Sequence, residues 1–186
     1  MSQENVAVVR QSIAARPSSR RRVRERLFLR FPQVAATVAR LVLGLPPRSR
    51  LRQVMIRDAF RLAVEAANRK DHEAAFVLLP PDYEAIPHPE LVGIGFDPLY
   101  RGRDGRVRLQ QQWESELGEF ENDPQEIIDL GDRVLLLGRM RGVGRGSGAA
   151  FDSEVAYLIT LSGVRMIREQ VFRSHDEALE AVGLRE

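Results

Sequence analysis

RVLLLGRMRGVGRGSGAAFDSEVAYLITLSGVRMIREQVFR, residues 133–173, decides the fold. It contains three extended runs, Arg133–Val143, Ala149–Leu161 and Val164–Arg173, separated by Gly144–Gly148 and by Ser162-Gly163. Turn residues between aliphatic and β-branched runs predict antiparallel hairpins. Glu126–Leu130, ahead of a Gly131-Asp132 turn, adds a fourth strand. Alternation within Ala149–Leu161 puts Phe151, Val155, Tyr157 and Ile159 on one face and Ala156 and Leu158 on the other. A sheet that is apolar on both faces has both covered, and a second copy of the chain is the expected cover for the second face. Asp152 and Glu154 oppose Tyr157 and read as exposed or interface charges. Gly142–Gly148 is rich in glycine, but it joins two strands. A phosphate-binding loop needs a helix N-terminus directly after the glycines.

Working upstream, the apolar period changes to that of a helix. Met55, Ile56, Ala59, Phe60, Ala63, Ala66 and Ala67 recur at helical spacing from Leu51 on, so a helix is expected that stops near Asn68–Asp71. Asp71 caps a second helix over His72–Leu79, which Pro80 and Pro81 stop. Tyr83–His88 is a short extended piece, and Leu91–Arg103 is a loop. A third helix opens at Asp104 or Gly105, runs to Leu117 and carries Val107, Leu109, Trp113 and Leu117 on one face. Asp176–Val182 is a closing helix. Helices first and an antiparallel meander after them define an α+β class, with three helices on a curved sheet.

The net charge of +2 hides a division. Residues 1–50 hold 11 Arg against Glu4 and Glu25, a net +9, whereas residues 51–186 carry a net −7. A basic arm (1–50) therefore precedes an acidic domain (51–186), and the domain offers no electrostatic reason to bind nucleic acid. Arg20, Arg21, Arg22, Arg24 and Arg26 lead into Leu27–Leu45, which is mostly apolar but interrupted by Pro32 and Arg40. That run is too short and broken to span a bilayer, and no small-residue cleavage site follows it, so the chain is expected in the cytoplasm. Two uses of the arm stand open. Phe28, Phe31, Val34, Val38, Leu41 and Val42 pack on the domain or on a second subunit, or the arm rests on an anionic membrane surface. Gly44–Arg50 is the linker that ends it. The chain has no cysteine, which excludes disulfides, thiolate metal sites and thiol nucleophiles. Neither His72 nor His175 has a ligand partner at helical spacing, and no metal or cofactor is expected.

Several segments together carry a family resemblance. MSQENVAVVR (Met1–Arg10), AFRLAVEAANRKD (Ala59–Asp71), YRGRDGRVR (Tyr100–Arg108), IDLGDRVLLLGRMRGVGRGSG (Ile128–Gly148) and HDEALEAVGL (His175–Leu184) resemble the SnoaL-like proteins of the nuclear transport factor 2-like superfamily. In that family the opening runs directly into the first helix. Here Val6–Ala15 begins such a helix and Gln53–Asp71 begins it again, so the arm is either an insertion or an extension ahead of a repeated start.

The resemblance implies a cone, in which a bent sheet wraps the helices around a cavity, and often a homodimer. Family members use the cavity as isomerases, hydrolases, dehydratases or cyclases, or only to bind, so fold does not settle function. The expected ligand pocket comprises His88, Tyr100, Trp113, Tyr157 and Glu169. Glu169 shares a strand face with Ile167 and Val171, and a carboxyl in an apolar cavity is suited to proton transfer. Its alternative is a pair with Arg139 or Arg168, or exposure to solvent. His88 sits between Pro87 and Pro89 and otherwise reads as a solvated loop residue. Trp113 and Tyr157 bring an apolar body with one polar tip, although Trp113 reads somewhat better as simple core packing, and Tyr100 lines the mouth if the loop before it is a lid. Binding of a small apolar molecule is the leading expectation. The rivals are an acid–base enzyme acting through Glu169 or His88 and a non-catalytic dimerisation or partner-binding module.

Overall fold

The computed structural model describes residues 23–163 and 165–184. Val6–Ala15, where the sequence starts a first helix, lies outside the described residues. Among the described residues, four helices come first: α1 (Val23–Arg30), α2 (Pro32–Leu43), α3 (Arg50–Asn68) and α4 (His72–Ala75). They are followed by β1 (Glu84–Ile86), α5 (Pro89–Gly93), β2 (Tyr100–Arg101) and α6 (Gly102–Leu117). The chain ends with β3 (Glu119–Asp129), β4 (Arg133–Val143), β5 (Ala150–Ser162), β6 (Arg165–Phe172) and α7 (His175–Ala181). The strands form one six-stranded sheet in the order β2-β1-β6-β5-β4-β3. All pairings are antiparallel except β1 with β6. This is the expected α+β class.

Caps set the helix starts. Ser49 accepts from the Arg52 amide and opens α3, and Asp71 accepts from the Ala74 amide and opens α4. The helix expected over His72–Leu79 ends at Ala75. Phe76 leaves the helix to lie under the Arg106 guanidinium, whose Cζ is 4.6 Å from the ring centroid. β3 is longer than expected, starting at Glu119 instead of Glu126. Its first half is polar and contains Pro124, which reads poorly as strand. An edge strand tolerates proline, and a bulge between Pro124 and Glu126 absorbs it.

The two faces of the sheet are buried by different elements. On one face Val134, Ile159 and Leu161 meet Val42 of α2 and Ile56 of α3, while Met140, Val155 and Val171 meet Leu109 and Trp113 of α6. On the other face Leu135, Leu137, Ala156, Leu158 and Phe172 pack under Ala178 of α7. The cover that the sequence assigns to a second subunit is thus supplied, for this apolar half, by the chain's own last helix. The other half of that face is solvated charge, with Arg139 and Arg141 both paired to Asp152. Glu154 Oε2 accepts from the His175 amide at the start of α7.

The arm packs on the domain. Ala35 and Val42 of α2 are buried, and Glu25 of α1 pairs with Arg69 at 2.7 Å. The junction is held by Arg52, which is only 3 % exposed. Its Nε and Nη2 donate to the two carboxylate oxygens of Asp129 at 2.7 and 2.9 Å. Nη1 donates to the Leu43 and Leu45 carbonyls, and Nη2 also to the Gly131 carbonyl. One guanidinium thereby ties the end of α2 and the linker to the β3–β4 turn.

Candidate functional site

Between the helices and the sheet lies a cavity of about 260 Å³. Its walls are mostly aliphatic and aromatic, with Ile56, Phe60 and Ala63 from α3 facing Val134, Val155 and Ile159 from the sheet. Phe28, Val38 and Val42 of the arm line it as well, so the two helices ahead of Leu51 are part of its wall. Polar groups enter this lining from Glu25, Asp58, Tyr83, Arg106, Gln110, Asn122, Tyr157 and Glu169.

Glu169 is placed by strand register. It opposes Ile159, and Val171 opposes Tyr157, so all four share the cavity face. A bulge between Thr160 and Leu161 pairs Leu161 with Met166 and skips Ile167. The apolar neighbour of Glu169 on the lining is therefore Met166, not Ile167 as strict alternation requires. The partners of Glu169 also differ from those weighed on the sequence. Arg139 is taken by Asp152 and Arg168 by Glu84. Glu169 instead accepts from the Tyr83 hydroxyl at 3.1 Å and lies 3.0 Å from Arg106 Nε. That contact is an ion pair without hydrogen-bond alignment: Arg106 Nε and Glu169 Oε1 are both buried with no hydrogen-bond partner. Both side chains are one-tenth exposed.

Arg106 is positioned by α6. It is buried on the same helical face as Leu109, Gln110 and Trp113, and Phe76 stacks beneath it. Its Nη1 donates to Gln110 Oε1 at 3.3 Å. Gln110 Nε2 in turn donates to Glu114 Oε1, which also accepts from His72 Nε2 at 2.9 Å. Burial pulls the Arg106 guanidinium down, but Glu169 and the two tyrosines beside it more than offset this, so it stays charged. Tyr157 reaches the same end of the cavity and donates to Asn122 Oδ1 at 3.2 Å.

The other three sequence candidates lie outside this lining. Trp113 is packed in the core against Phe120, with ring centroids 6.2 Å apart. Tyr100 is buried beside α6; its hydroxyl donates to Gln112 and accepts from the Asp97 amide, which pins the preceding loop. His88 caps α5 through Nδ1, accepting from the Glu90 amide, and its Nε2 is 3.5 Å from Glu177. Of the five, only Tyr157 and Glu169 are brought together.

All three tyrosines resist ionisation. Burial raises Tyr83 well above its ordinary value of 10.0, with the Glu169 carboxylate adding to it and Arg106 opposing. Burial also raises Tyr157 strongly, and Tyr100 less. An acid whose folded pKa is raised holds its proton longer when folded than when unfolded. Its stabilising contribution is complete below pH 10 and shrinks as pH rises further. Absorbance at 295 nm should therefore show no tyrosinate step near pH 10. Ionisation should coincide with loss of the far-ultraviolet circular dichroism, and an early step of even one tyrosine would contradict the buried arrangement.

No protein-family model matches the sequence, and neither does any curated protein. Solved structures do match. An NTF2-like protein of unknown function from Burkholderia pseudomallei is similar at 18% identity and a TM-score of 0.57, over 67% of this chain and 94% of that one. TerC, co-crystallised with polyporic acid, is similar at 19% identity and a TM-score of 0.56, over 68% and 96%. A protein from Jannaschia assigned as a SnoaL-like polyketide cyclase is similar at 18% identity and a TM-score of 0.52, over 69% and 85%.

The fold is nuclear transport factor 2-like. Its helices-then-sheet order is the one the sequence resemblance implies, with a cavity between the two layers. Against that fold the sequence reading missed Tyr83, Arg106 and Asn122 as cavity residues. A signal existed for Arg106, because its spacing to Leu109 and Trp113 places it on the core face of α6. None existed for Asn122, which enters through the unrecognised half of β3. Among the described residues, no three His, Asp or Glu side chains gather where a metal ion would sit.

Proposed function

We propose that the chain binds a small, mostly apolar organic molecule in this cavity, with one polar group of the ligand set against Arg106, Glu169 and Tyr83. The observation that carries the reading is the cavity itself, whose mostly apolar lining includes the Arg106–Glu169 ion pair, 3.0 Å apart, and the Tyr83 hydroxyl that donates to Glu169. A few convergent polar groups in an otherwise apolar wall are the usual make-up of a small-molecule site. The volume lies just below the roughly 300–1,000 Å³ of typical ligand sites, which favours a small occupant. At the level of fold, TerC co-crystallised with polyporic acid supports the same use of the architecture.

The same geometry favours a second reading, acid–base catalysis. Glu169 is the carboxylate of this polar group, with Oε2 held by the Tyr83 hydroxyl and Oε1 against Arg106, and it would take a proton from a bound carbon or oxygen acid within about 3 Å. Glu169→Gln separates the two readings, because it removes the base and keeps the shape. Binding by isothermal titration with 4-methylphenol and toluene tests the first reading directly. Both should bind, with 4-methylphenol the tighter. Ala63→Trp, which fills the cavity from α3, should weaken both at least about tenfold. If neither probe binds, or if the filled variant binds both like the parent, the ligand reading fails.

A further inference from the structure

The inner face of the arm lines the cavity; its outer face has no partner among the described residues. Val23 and Leu41 are 81% and 69% exposed, and Leu27, Phe31 and Val34 are exposed too. Phe31, at φ −133° and ψ 65°, is not helical and separates the two helices. At 100° per residue, Val23 and Leu27 lie about 40° apart on α1, and Val34 and Leu41 about 20° apart on α2, so each helix carries an outward apolar stripe. Arg26, Arg30 and Arg40 are exposed on the same two helices. From Arg26 to Arg57 the sequence contains no acidic residue, and the acid just before it, Glu25, is turned inward to Arg69.

We propose that this face docks on an anionic lipid bilayer, the stripes inserting at the headgroup boundary and the arginines meeting lipid phosphates. Exposed apolar stripes beside exposed arginines fit such a surface. No described helix is long and apolar enough to cross a membrane, so the contact is peripheral. Docking would set the cavity wall formed by Phe28, Val38 and Val42 directly behind the bilayer surface. The proposal does not rest on the ligand reading and survives its failure.

The test is sedimentation of the full chain with vesicles of phosphatidylcholine containing 30 mol % phosphatidylglycerol, and with phosphatidylcholine alone. Binding is expected to the anionic vesicles only, and to weaken in 0.5 M salt, where the Debye length falls to about 4 Å. Each basic residue near such a surface contributes about fivefold in partitioning. Arg26→Gln/Arg30→Gln/Arg40→Gln should therefore lose at least about tenfold, and so should Val34→Glu/Leu41→Glu. Neither change touches a buried group, and unchanged circular dichroism confirms that each variant folds. Equal binding to both vesicle types, no binding to either, or unchanged binding by both variants overturns the proposal. So does a concentration-dependent dimer that Val34→Glu/Leu41→Glu dissociates without any vesicle binding, which would make the stripes a contact between copies.

Discussion

Arg52→Met is expected to cost about 3–5 kcal/mol of stability, the usual penalty for breaking a buried ion pair by removing one member. Arg52 and Asp129 side chains are each 4% exposed, and the pair is bidentate. Methionine retains much of the volume but supplies none of the five bonds. Asp129 is left as an uncompensated buried carboxylate, although its Oδ1 still accepts from the Gly131 amide. The carbonyls of Leu43, Leu45 and Gly131 lose their donor as well. Those carbonyls belong to the end of α2, the linker and the β3–β4 turn, so the damage has a location. Urea unfolding measures the total. Trypsin cleavage at Arg48 or Arg50 under native conditions reports separately on release of the linker, and it should accelerate more than global unfolding alone explains. A loss under about 1 kcal/mol, with unchanged proteolysis, would show that the arm is held mainly by its apolar contacts.

Arg106→Met should be nearly as damaging, by about 3–5 kcal/mol, because Glu169 then stays buried in an apolar cavity with only the Tyr83 hydroxyl. Replacing both members, Arg106→Met/Glu169→Met, should recover most of that loss, since two apolar groups of similar volume impose no unpaired charge. The resulting coupling, read from a double-mutant cycle in urea, should exceed about 2 kcal/mol. Polar recognition should respond differently from stability. The double variant should bind toluene at least as well as the parent and lose its preference for 4-methylphenol. Additive single effects would mean that the 3.0 Å approach does not couple the two groups in solution.

The sequence carried the architecture well where pattern and packing agree. Arg133–Val143, Ala149–Leu161 and the stretch through Phe172 alternate cleanly and emerge as β4, β5 and β6. The helical spacing of Met55 to Ala67 emerges as α3. Local pattern failed where a strand is made by its partner instead of by its own residues. Glu119–Pro124 is polar, yet it pairs with Gly138–Val143 because β4 presents an open edge. The candidate site was half legible. Glu169 and Tyr157 follow from strand alternation among apolar neighbours, and the bulge beyond Thr160 leaves that part of the register intact. Tyr83 and Arg106 come from other elements, and only the closure of α6 and of the segment ahead of β1 onto β6 brings them to Glu169.

By itself, the sequence determined the α+β order, the sheet's two apolar faces and the concentration of positive charge ahead of Leu51. These are properties of composition and of periods 2 and 3.6, which each segment carries alone. The tertiary structure decided what covers each face: α7 takes the apolar half of the second face of the sheet, and the arm closes the cavity as one of its walls. It also decided that a buried arginine meets the buried glutamate. Both outcomes depend on contacts between segments far apart in the chain, and no local periodicity encodes which distant segment arrives.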